Sequence, residues 1–322
     1  MKGEAPELSV ILTVVEGPDQ ARRCLQALRT QNDPPRMEIL IPWDAAVPEV
    51  ASWAGTGLHC PQVMNAPPLD DPDDEDTRHV LFDLRRATGL VAATAPRVAL
   101  LEDRGVPAPS WARAMVSTLD QTGAAAVGGP ILCGSSSRWA RALHLLDFGR
   151  YAPPLDEHQT ETLSDTNVAY RRDALERIRG VWEHRFHEPD VHGALTERGE
   201  TLLFSPAPTV VQHRTGLKLD RVLRERLAWG RLYGSLLARN RSTAWRLLRA
   251  VASAVVLPVL LPFRVLRRER RRGRLEGALG LIPEVFLAAL VWTVGESLGL
   301  VSPVSTSRPG ATDEPLGEES PA

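Results

Sequence analysis

An apolar strand that ends in two carboxylates constrains the fold more than any other part of this chain. Residues 98–101 read VALL, and Glu102 and Asp103 follow directly. Two adjacent carboxylates at the end of a buried strand are costly unless a partner binds them. In open α/β sheets, ligands bind at the carboxyl ends of the strands, where a divalent cation carrying a nucleotide diphosphate would satisfy such a pair. A strand that runs into a solvated turn is the alternative.

The segments before this strand predict an α/β fold. Residues 8–15 (LSVILTVV) are a continuous β-branched run, which is typical of a strand buried on both faces. Gly17 and Pro18 break the run, leucines at helical spacing follow in 20–30, and 37–41 is a second short strand. This order with short links implies a right-handed parallel crossover. Further expected elements are a strand near 62–65, helices at 80–88 and 111–119, and a strand over 124–132 interrupted by two glycines.

The net charge of −2 hides an acidic front and a basic rear. Residues 214–274 hold 17 Lys and Arg against 3 Asp and Glu. Inside this segment, 250–263 is uncharged, but it is shorter than the roughly 20 residues of a bilayer span and contains two prolines. A second apolar stretch, 277–301, carries two acids, which are costly at mid-membrane. We therefore expect interfacial or re-entrant helices, with the arginines of 264–274 facing an anionic membrane surface.

This pattern divides the chain into an α/β body at 1–215, a basic and apolar helical membrane-associated region at 216–302, and a disordered tail at 303–322. A buried helical hairpin or an oligomer interface is the alternative for the middle region. Nucleic-acid binding is not expected, because the arginines flank apolar runs and no stacking platform is found. Three widely spaced cysteines and an N-terminus without a signal-peptide pattern predict a body on the cytoplasmic face of the membrane, held peripherally or by re-entrant helices.

Six segments, in their order and spacing, resemble the large inverting family of nucleotide-sugar glycosyltransferases with a GT-A fold. They lie within residues 7–215 and read LSVILTVVEGPDQARRCLQAL, EILIPWDAA, RRATGLVAATAPRVALLEDRGVPAPSW, AAVGGPI, SDTNVAYRRDAL and GETLLFSPAPTVVQH. The resemblance implies an α/β, Rossmann-like, mostly parallel sheet flanked by helices. It also implies a nucleotide-diphosphate sugar as donor, a divalent cation (Mg²⁺ or Mn²⁺) and transfer with inversion.

The resemblance implies donor-binding residues one by one. Asp44 matches the position that reads the nucleobase, and Glu16 lies in the same pocket by analogy. Arg86 and Gly89 match the segment under the nucleotide. Asn167 belongs to a segment that lines the donor sugar.

The resemblance also implies a metal site. Glu102 and Asp103 match the acidic metal-binding motif, and His213 resembles a late histidine that can complete it. We expect the two acids to share a pocket with Asp44. Arg104 stands where many relatives have a third acid, and an arginine cannot ligate a cation. Either the two acids suffice, or Arg104 itself neutralises phosphate charge.

An inverting transferase needs a carboxylate base that deprotonates the acceptor hydroxyl. The segment 180–199 offers Glu183, Glu188 and Asp190, of which Glu183 is the expected base and Asp190 the second choice. The apolar rear region suggests a lipid-linked or cell-surface glycan as acceptor. Two alternatives remain: a degenerate transferase that binds nucleotide sugar or acts as a scaffold, and a soluble enzyme whose rear helices form an oligomer.

Overall fold

The computed structural model describes residues 5–55, 57–71 and 74–303, so the tail expected from 303 onward lies outside it except for its first residue. The strands are β1 Leu8–Thr13, β2 Met37–Leu40, β3 Arg97–Glu102, β4 Gly105–Pro107, β5 Ala126–Gly128, β6 Ile131–Cys133, β7 His158–Thr160, β8 Asn167–Arg171, β9 Leu202–Phe204 and β10 Val210–Gln212. The helices are α1 Pro18–Arg29, α2 Glu75–Ala92, α3 Trp111–Thr122, α4 Arg138–Asp147, α5 Arg172–Glu176, α6 Arg179–Trp182, α7 Glu188–Glu197, α8 Leu219–Ala238, α9 Thr243–Arg271, α10 Leu275–Leu279 and α11 Ile282–Val301.

A seven-stranded mixed sheet forms the centre of the body, in the order β2-β1-β3-β8-β5-β9-β7. Strands β2, β1, β3, β5 and β9 run in one direction, and β8 and β7 run against them. The expected α/β sheet with mostly parallel strands is therefore present. A second sheet, β4-β10-β6, lies beside its carboxyl edge, because β4 begins shortly after β3 ends.

Both faces of the central strands are buried, as their continuous apolar sequences predict. Successive residues of β1 face opposite sides of the sheet: Val10 and Leu12 pack with α1 and α3, while Ile11 packs with α2. In β3, Leu101 faces the first of these cores and Leu100 the second. Helices on both sides of the sheet thus bury its two apolar faces, which is the layered arrangement that parallel strands require.

Two expected strands differ from the structure. Residues 62–65 form no strand, and only the isolated bridge between Trp43 and Gln62 joins them to the edge of the sheet. The segment 124–132 becomes two strands, β5 and β6, in different sheets. The chain crosses between the sheets at Gly129, where a Cβ would overlap the backbone of Pro208. The glycines therefore end one strand, and do not merely interrupt it.

The basic rear region is helical, but its boundaries differ from those expected. The uncharged run 250–263 is the middle of the 29-residue helix α9, which contains Pro258 and Pro262. By length and composition, α9 and α11 could each cross a membrane. Only 28 % of the apolar window of α9 and 44 % of that of α11 is buried. Both helices therefore leave many apolar side chains exposed, among them Val255 and Val259 on α9 and Phe286 on α11.

Glycines on α8 and α11 bring the two helix backbones into direct contact. Gly230 and Gly234 on α8 meet the backbone of α11, and Gly295 and Gly299 on α11 meet the backbone of α8. A Cβ at Gly299 would overlap the carbonyl oxygen of Arg231. Both pairs have the small-xxx-small spacing that allows close helix packing in membranes. Helix α11 is thereby fixed to α8, which in turn packs on α2 of the body.

We expect Gly299→Ala to lower the free energy of unfolding by about 1–3 kcal/mol, because the added methyl group overpacks the α8–α11 contact. The matched control is Gly193→Ala in α7, where no heavy atom lies within 4 Å of the new Cβ. That change should raise stability by about 1 kcal/mol through helix propensity. Thermal unfolding of both variants in detergent measures the difference, and equal shifts would contradict the interlocked packing.

Candidate functional site

The carboxyl end of β3 opens on a cavity of about 310 Å³. Charged side chains from distant parts of the chain line it, namely Asp83, Arg86, Glu102, Arg104, Asp147, Arg150, Asp165, Glu188 and Arg214. Aromatic rings close part of the wall, and two of them, Trp229 and Trp292, come from α8 and α11. The rear helices therefore contribute to the same cavity as the sheet edge.

Arg86 is the centre of the charge network in this cavity. Its Nη2 lies 2.9 Å from Glu102 Oε1 and 2.9 Å from Asp165 Oδ2, and its Nη1 lies 3.4 Å from Asp83 Oδ1. Arg185 also pairs with Asp83, at 2.9 Å. Arg86 thus connects α2 with β3 and with the residues before β8. Arg86 lines the cavity, where its partners are carboxylates; the expected contact with the nucleotide stays a prediction.

Two carboxyl groups that line this cavity have raised pKa values, and burial is the main cause. Burial, opposed by Arg86 and reinforced by Asp165, raises the pKa of Glu102 to about 7. Burial and the Asp165 carboxylate raise the pKa of Glu188 to about 8. The backbone N–H of Asp165 donates to Glu188 Oε2 at 2.9 Å and fixes this side chain toward the cavity. A carboxyl group with such a pKa can accept and release a proton near neutral pH.

Asp103 is fully buried, and its carboxylate accepts hydrogen bonds from the backbone just before α1. Its carboxylate accepts the backbone N–H of Glu16 at 2.9 Å and that of Gly17 at 2.8 Å. Burial raises the pKa of Asp103, while these N–H groups and Arg104 oppose the rise. The side chain therefore faces the backbone of the β1–α1 link and does not line the cavity beside Glu102.

A second cavity, of about 240 Å³, adjoins the first, and Val15 and Phe82 line both. Glu16 lines the second cavity and Arg104 the first. The two side chains pair across the border, with Arg104 Nε 2.7 Å from Glu16 Oε2. Glu16 therefore lies beside a cavity at the sheet edge, and its expected contact with the donor stays a prediction.

Asp44 does not reach either cavity, contrary to the expectation that it shares a pocket with Glu102. Its two oxygens each lie 2.8 Å from a guanidinium nitrogen of Arg85. The backbone N–H of Ala46 donates to it as well, at 2.9 Å. Arg85, and not Asp44, lines the second cavity. The carboxyl ends of β2 and β3 lie on one edge of the sheet, but Arg85 lines the second cavity and holds the Asp44 carboxylate behind it.

Two further residues have packing contacts where the sequence suggested ligand contacts. A Cβ at Gly89 would meet the side chains of Ile11 and Pro42, so this glycine lets α2 approach β1. The Asn167 amide is buried, accepts from Trp111 Nε1 at 2.8 Å, and donates to Pro208 O at 2.8 Å. Neither position lines the cavity, and both residue types are explained by close packing and by satisfied hydrogen bonds.

The structure does not place the two expected bases in the cavity. Glu183 follows the last residue of α6, is partly exposed, and pairs with Arg179 at 2.9 Å. Asp190 lines a separate cavity, of about 240 Å³, with Arg239. The ring of His187, whose Nδ1 lies 3.1 Å from Asp190 Oδ2, lowers the pKa of Asp190 and makes its carboxylate a weaker base. Glu188, the third acid of the same segment, is the one that lines the cavity beside Arg86.

The three expected metal ligands do not come together. Glu102 is paired with Arg86, and Asp103 is bound by backbone N–H groups. His213 follows β10 with its ring against Gly134, while the neighbouring residues on either side face the cavity. Over residues 5–55, 57–71 and 74–303, no three His, Cys, Asp or Glu side chains form a group that could hold a metal ion. The residues present do not fit the expected divalent cation.

Comparison with known proteins supports the fold. No protein-family model matches the sequence, and no curated protein matches it significantly. Among solved structures, the chain is similar to the mannosyltransferase PcManGT from Pyrobaculum calidifontis in complex with GDP-Man and Mn²⁺. The TM-score is 0.52 with 16 % identity, over 92 % of this chain and 87 % of that one. The chain has a glycosyltransferase fold. At this identity the likeness concerns the fold and assigns no residue.

The sequence analysis missed Asp83 and the two tryptophans of the cavity wall, whereas Asp165 belongs to the segment 165–167 that was expected to line the donor sugar. Asp165 stands two residues before Asn167, in the same short segment. One local signal could have selected Glu188. It is the first residue of α7 and Pro189 is the second, and a proline there marks the start of a helix. Glu183 instead follows the one-turn helix α6, where no such signal is present.

The raised pKa of Glu188 predicts how stability depends on pH. In the unfolded chain this carboxyl titrates near its usual 4.5, and in the folded chain near 8. Its contribution to stability is therefore full below pH 4.5 and is lost as the pH rises to about 8. We expect Glu188→Gln to flatten the fall of the melting temperature over this range and to be more stable than the wild type above it. Glu183→Gln is the control, and a parallel decline in all three proteins would contradict the prediction.

Proposed function

We propose that the chain is an inverting glycosyltransferase of the GT-A type, associated with a membrane. It moves a sugar from a nucleotide-diphosphate sugar to a lipid-linked or cell-surface glycan acceptor. The observation that carries the proposal is Glu188, a carboxyl with a raised pKa in the cavity at the carboxyl end of β3, in a chain with a glycosyltransferase fold. The mannosyltransferase of similar fold is in complex with GDP-Man, which supports a nucleotide sugar as donor.

The two adjoining cavities suggest how the donor lies. The nucleoside occupies the smaller cavity, beside Arg78 and Arg85, and the sugar enters the larger cavity beside Glu102 and Asp165. The diphosphate then crosses the border at Val15. Carboxylates beside a sugar are suitable partners for its hydroxyl groups. This orientation puts the anomeric carbon in the larger cavity, within the same space as Glu188.

Glu188 is the proposed base. The acceptor oxygen forms the new bond to the anomeric carbon, and its proton passes to Glu188. The pair of electrons of the old carbon–oxygen bond leaves on the nucleoside diphosphate, so a single displacement inverts the anomeric centre. A base is most effective when its pKa lies near the working pH, which the burial of Glu188 beside Asp165 achieves. The backbone N–H of Asp165 keeps the carboxylate in place.

The rear helices support a lipid-linked acceptor. Trp229 and Trp292 form part of the cavity wall, and α9 and α11 expose apolar side chains away from the body. On α11 the exposed residues are spaced three or four apart, which is one helix face: Phe286, Leu290, Val294, Leu298 and Val301. An acceptor whose lipid part stays in the bilayer could present its polar head to a cavity with this wall. We place the body on the cytoplasmic face, where the exposed arginines Arg264, Arg267, Arg270 and Arg271 meet anionic lipid. The other three arginines of 264–274 do not face lipid as the sequence suggested, because Arg268, Arg272 and Arg274 donate to backbone carbonyl groups of the body.

Replacing Glu188 tests the catalytic proposal. We expect Glu188→Gln to lower the rate of sugar transfer by about 10²- to 10⁴-fold, because the acceptor proton loses its base. The glutamine can still accept the N–H of Asp165, so donor affinity should change little. The measurement is transfer from a panel of nucleotide sugars in membranes that contain polyprenyl phosphate and glycolipid acceptors.

Glu183→Gln serves as the matched control, because Glu183 lies in the same segment outside the cavity, and its rate should equal that of the wild type. Full activity in Glu188→Gln would exclude Glu188 as base. Binding of nucleotide without transfer to any acceptor would favour the alternative of a degenerate transferase that acts as a binding or scaffolding subunit.

Vesicle flotation tests the membrane association. We expect the full chain to float with vesicles of phosphatidylcholine and phosphatidylglycerol, and Val255→Asp with Val259→Asp to reduce the bound fraction, because both side chains are exposed on α9. Met64→Asp is the control, since Met64 is 74 % exposed on the body. Recovery of the wild type in the soluble phase as an oligomer, without detergent, would instead assign the apolar surface to contacts between copies of the chain.

A further inference from the structure

We propose that Arg104 does the work expected of a divalent cation: its guanidinium binds the diphosphate of the donor and stabilises the charge of the leaving nucleoside diphosphate. This inference rests on the function proposed above and identifies the group that handles the leaving group. It follows from four features of the structure: what Arg104 contacts, what the neighbouring acids contact, where the two cavities meet, and how the remaining charges balance.

The Arg104 side chain is buried but has unused hydrogen-bond donors. It is 6 % exposed and lines the larger cavity. Its Nε donates to Glu16 Oε2 at 2.7 Å, and no other hydrogen bond of this side chain is found within the described parts of the chain. Among those residues, both Nη groups therefore lack a protein partner. A buried arginine costs free energy unless its donors are satisfied, and a phosphate satisfies two of them at once.

The acids beside Arg104 are already engaged by the protein. Asp103 is fully buried and accepts the N–H groups that begin α1, so binding a cation would take this carboxylate from the helix start. Glu102 is 2.9 Å from Arg86. His213 has its ring against Gly134. A cation would have to break these contacts, whereas a phosphate meets a guanidinium that already lines the cavity.

The position of Arg104 suits the diphosphate. Arg104 lines the larger cavity, its partner Glu16 lines the smaller one, and the two cavities meet at Val15 and Phe82. A donor with its nucleoside in one cavity and its sugar in the other places the diphosphate beside this ion pair. The backbone oxygen of Arg104 accepts the N–H of His213 at 2.7 Å, which fixes the arginine between β3 and β10.

The charge balance allows Arg104 to turn toward a phosphate. Arg221 of α8 lies 3.5 Å from the second oxygen of Glu16, so Glu16 keeps a cationic partner if Arg104 moves. Burial lowers the pKa of Arg104, but Glu16 and Glu225 more than offset this and raise it, so the side chain stays charged. When the anomeric carbon–oxygen bond breaks, the electron pair and the extra negative charge go to the diphosphate oxygen. Arg104 neutralises that charge, and the acceptor proton goes to Glu188.

Direct binding measurements test this inference apart from turnover. The full chain in detergent is titrated calorimetrically with UDP, GDP, ADP, CDP and dTDP, in EDTA and in Mn²⁺. We expect at least one diphosphate to bind in EDTA with an affinity within about twofold of that in Mn²⁺. Arg104→Gln should weaken it by about 10- to 100-fold, the loss expected for a charge-assisted pair. The matching nucleoside, which has no phosphate, should bind wild type and variant equally.

The variants separate charge from folding. Arg104→Gln leaves Glu16 with Arg221 as its cationic partner. If this variant unfolds, the double variant with Glu16→Gln is used, because it leaves the net charge of the site unchanged. Arg177→Gln, on the surface of the body, is the control and should bind as the wild type does. Binding that requires Mn²⁺, or full affinity in Arg104→Gln, would overturn the role of Arg104 and leave the transferase proposal intact. Failure of every diphosphate to bind in either condition would overturn the proposed function itself.

Discussion

One buried arginine determines both how the body holds together at its carboxyl edge and how its site handles protons. Arg86 is almost fully buried and contacts carboxylates from its own helix, from β3 and from the residues before β8. Each of these carboxylates would be expensive to bury alone. Arg185 also pairs with Asp83, and Glu188 adds a further acid to the same cavity. Burial is the main cause of the raised pKa values of Glu102 and Glu188, and the nearby Asp165 carboxylate adds to the rise in both.

The same principle applies along the whole sheet edge. Asp44 after β2 forms an ion pair with Arg85, and Glu16 after β1 forms one with Arg104. Asp103 after β3 accepts hydrogen bonds from backbone N–H groups. Strand ends therefore carry acids because this chain supplies a specific partner for each of them. The surroundings of each acid determine its role. An acid whose oxygens are held by an arginine or by backbone N–H groups has a structural role, whereas an acid buried beside another carboxylate has a raised pKa and can exchange protons.

The sequence predicts the central strands β1 and β3 but predicts the roles of polar residues poorly. Continuous apolar runs identify β1 and β3, since burial on both faces leaves no other pattern. Asn167 and Gly89 show why the site was harder to predict. A small or amide side chain near a ligand has the same appearance in sequence as one that lets two elements pack closely. Glu183 ends the one-turn helix α6 and Glu188 begins α7, and hydrophobic periodicity cannot assign a face to an acid at either position.

The contribution of the rear helices to the cavity is the feature that local sequence could not reveal. Arg226 of α8 lies 5.5 Å from the ring centres of both Trp229 and Trp292 and is paired with Asp147 at 2.7 Å. This stacking fixes the two rings over the cavity, and the glycine contacts between α8 and α11 hold the helices that carry them. A shift of α11 would therefore move the cavity wall. If α11 lies at a bilayer, as we propose, the membrane determines the position of this cavity wall. Helix α11 then brings the lipid part and the polar head of the acceptor toward Glu188.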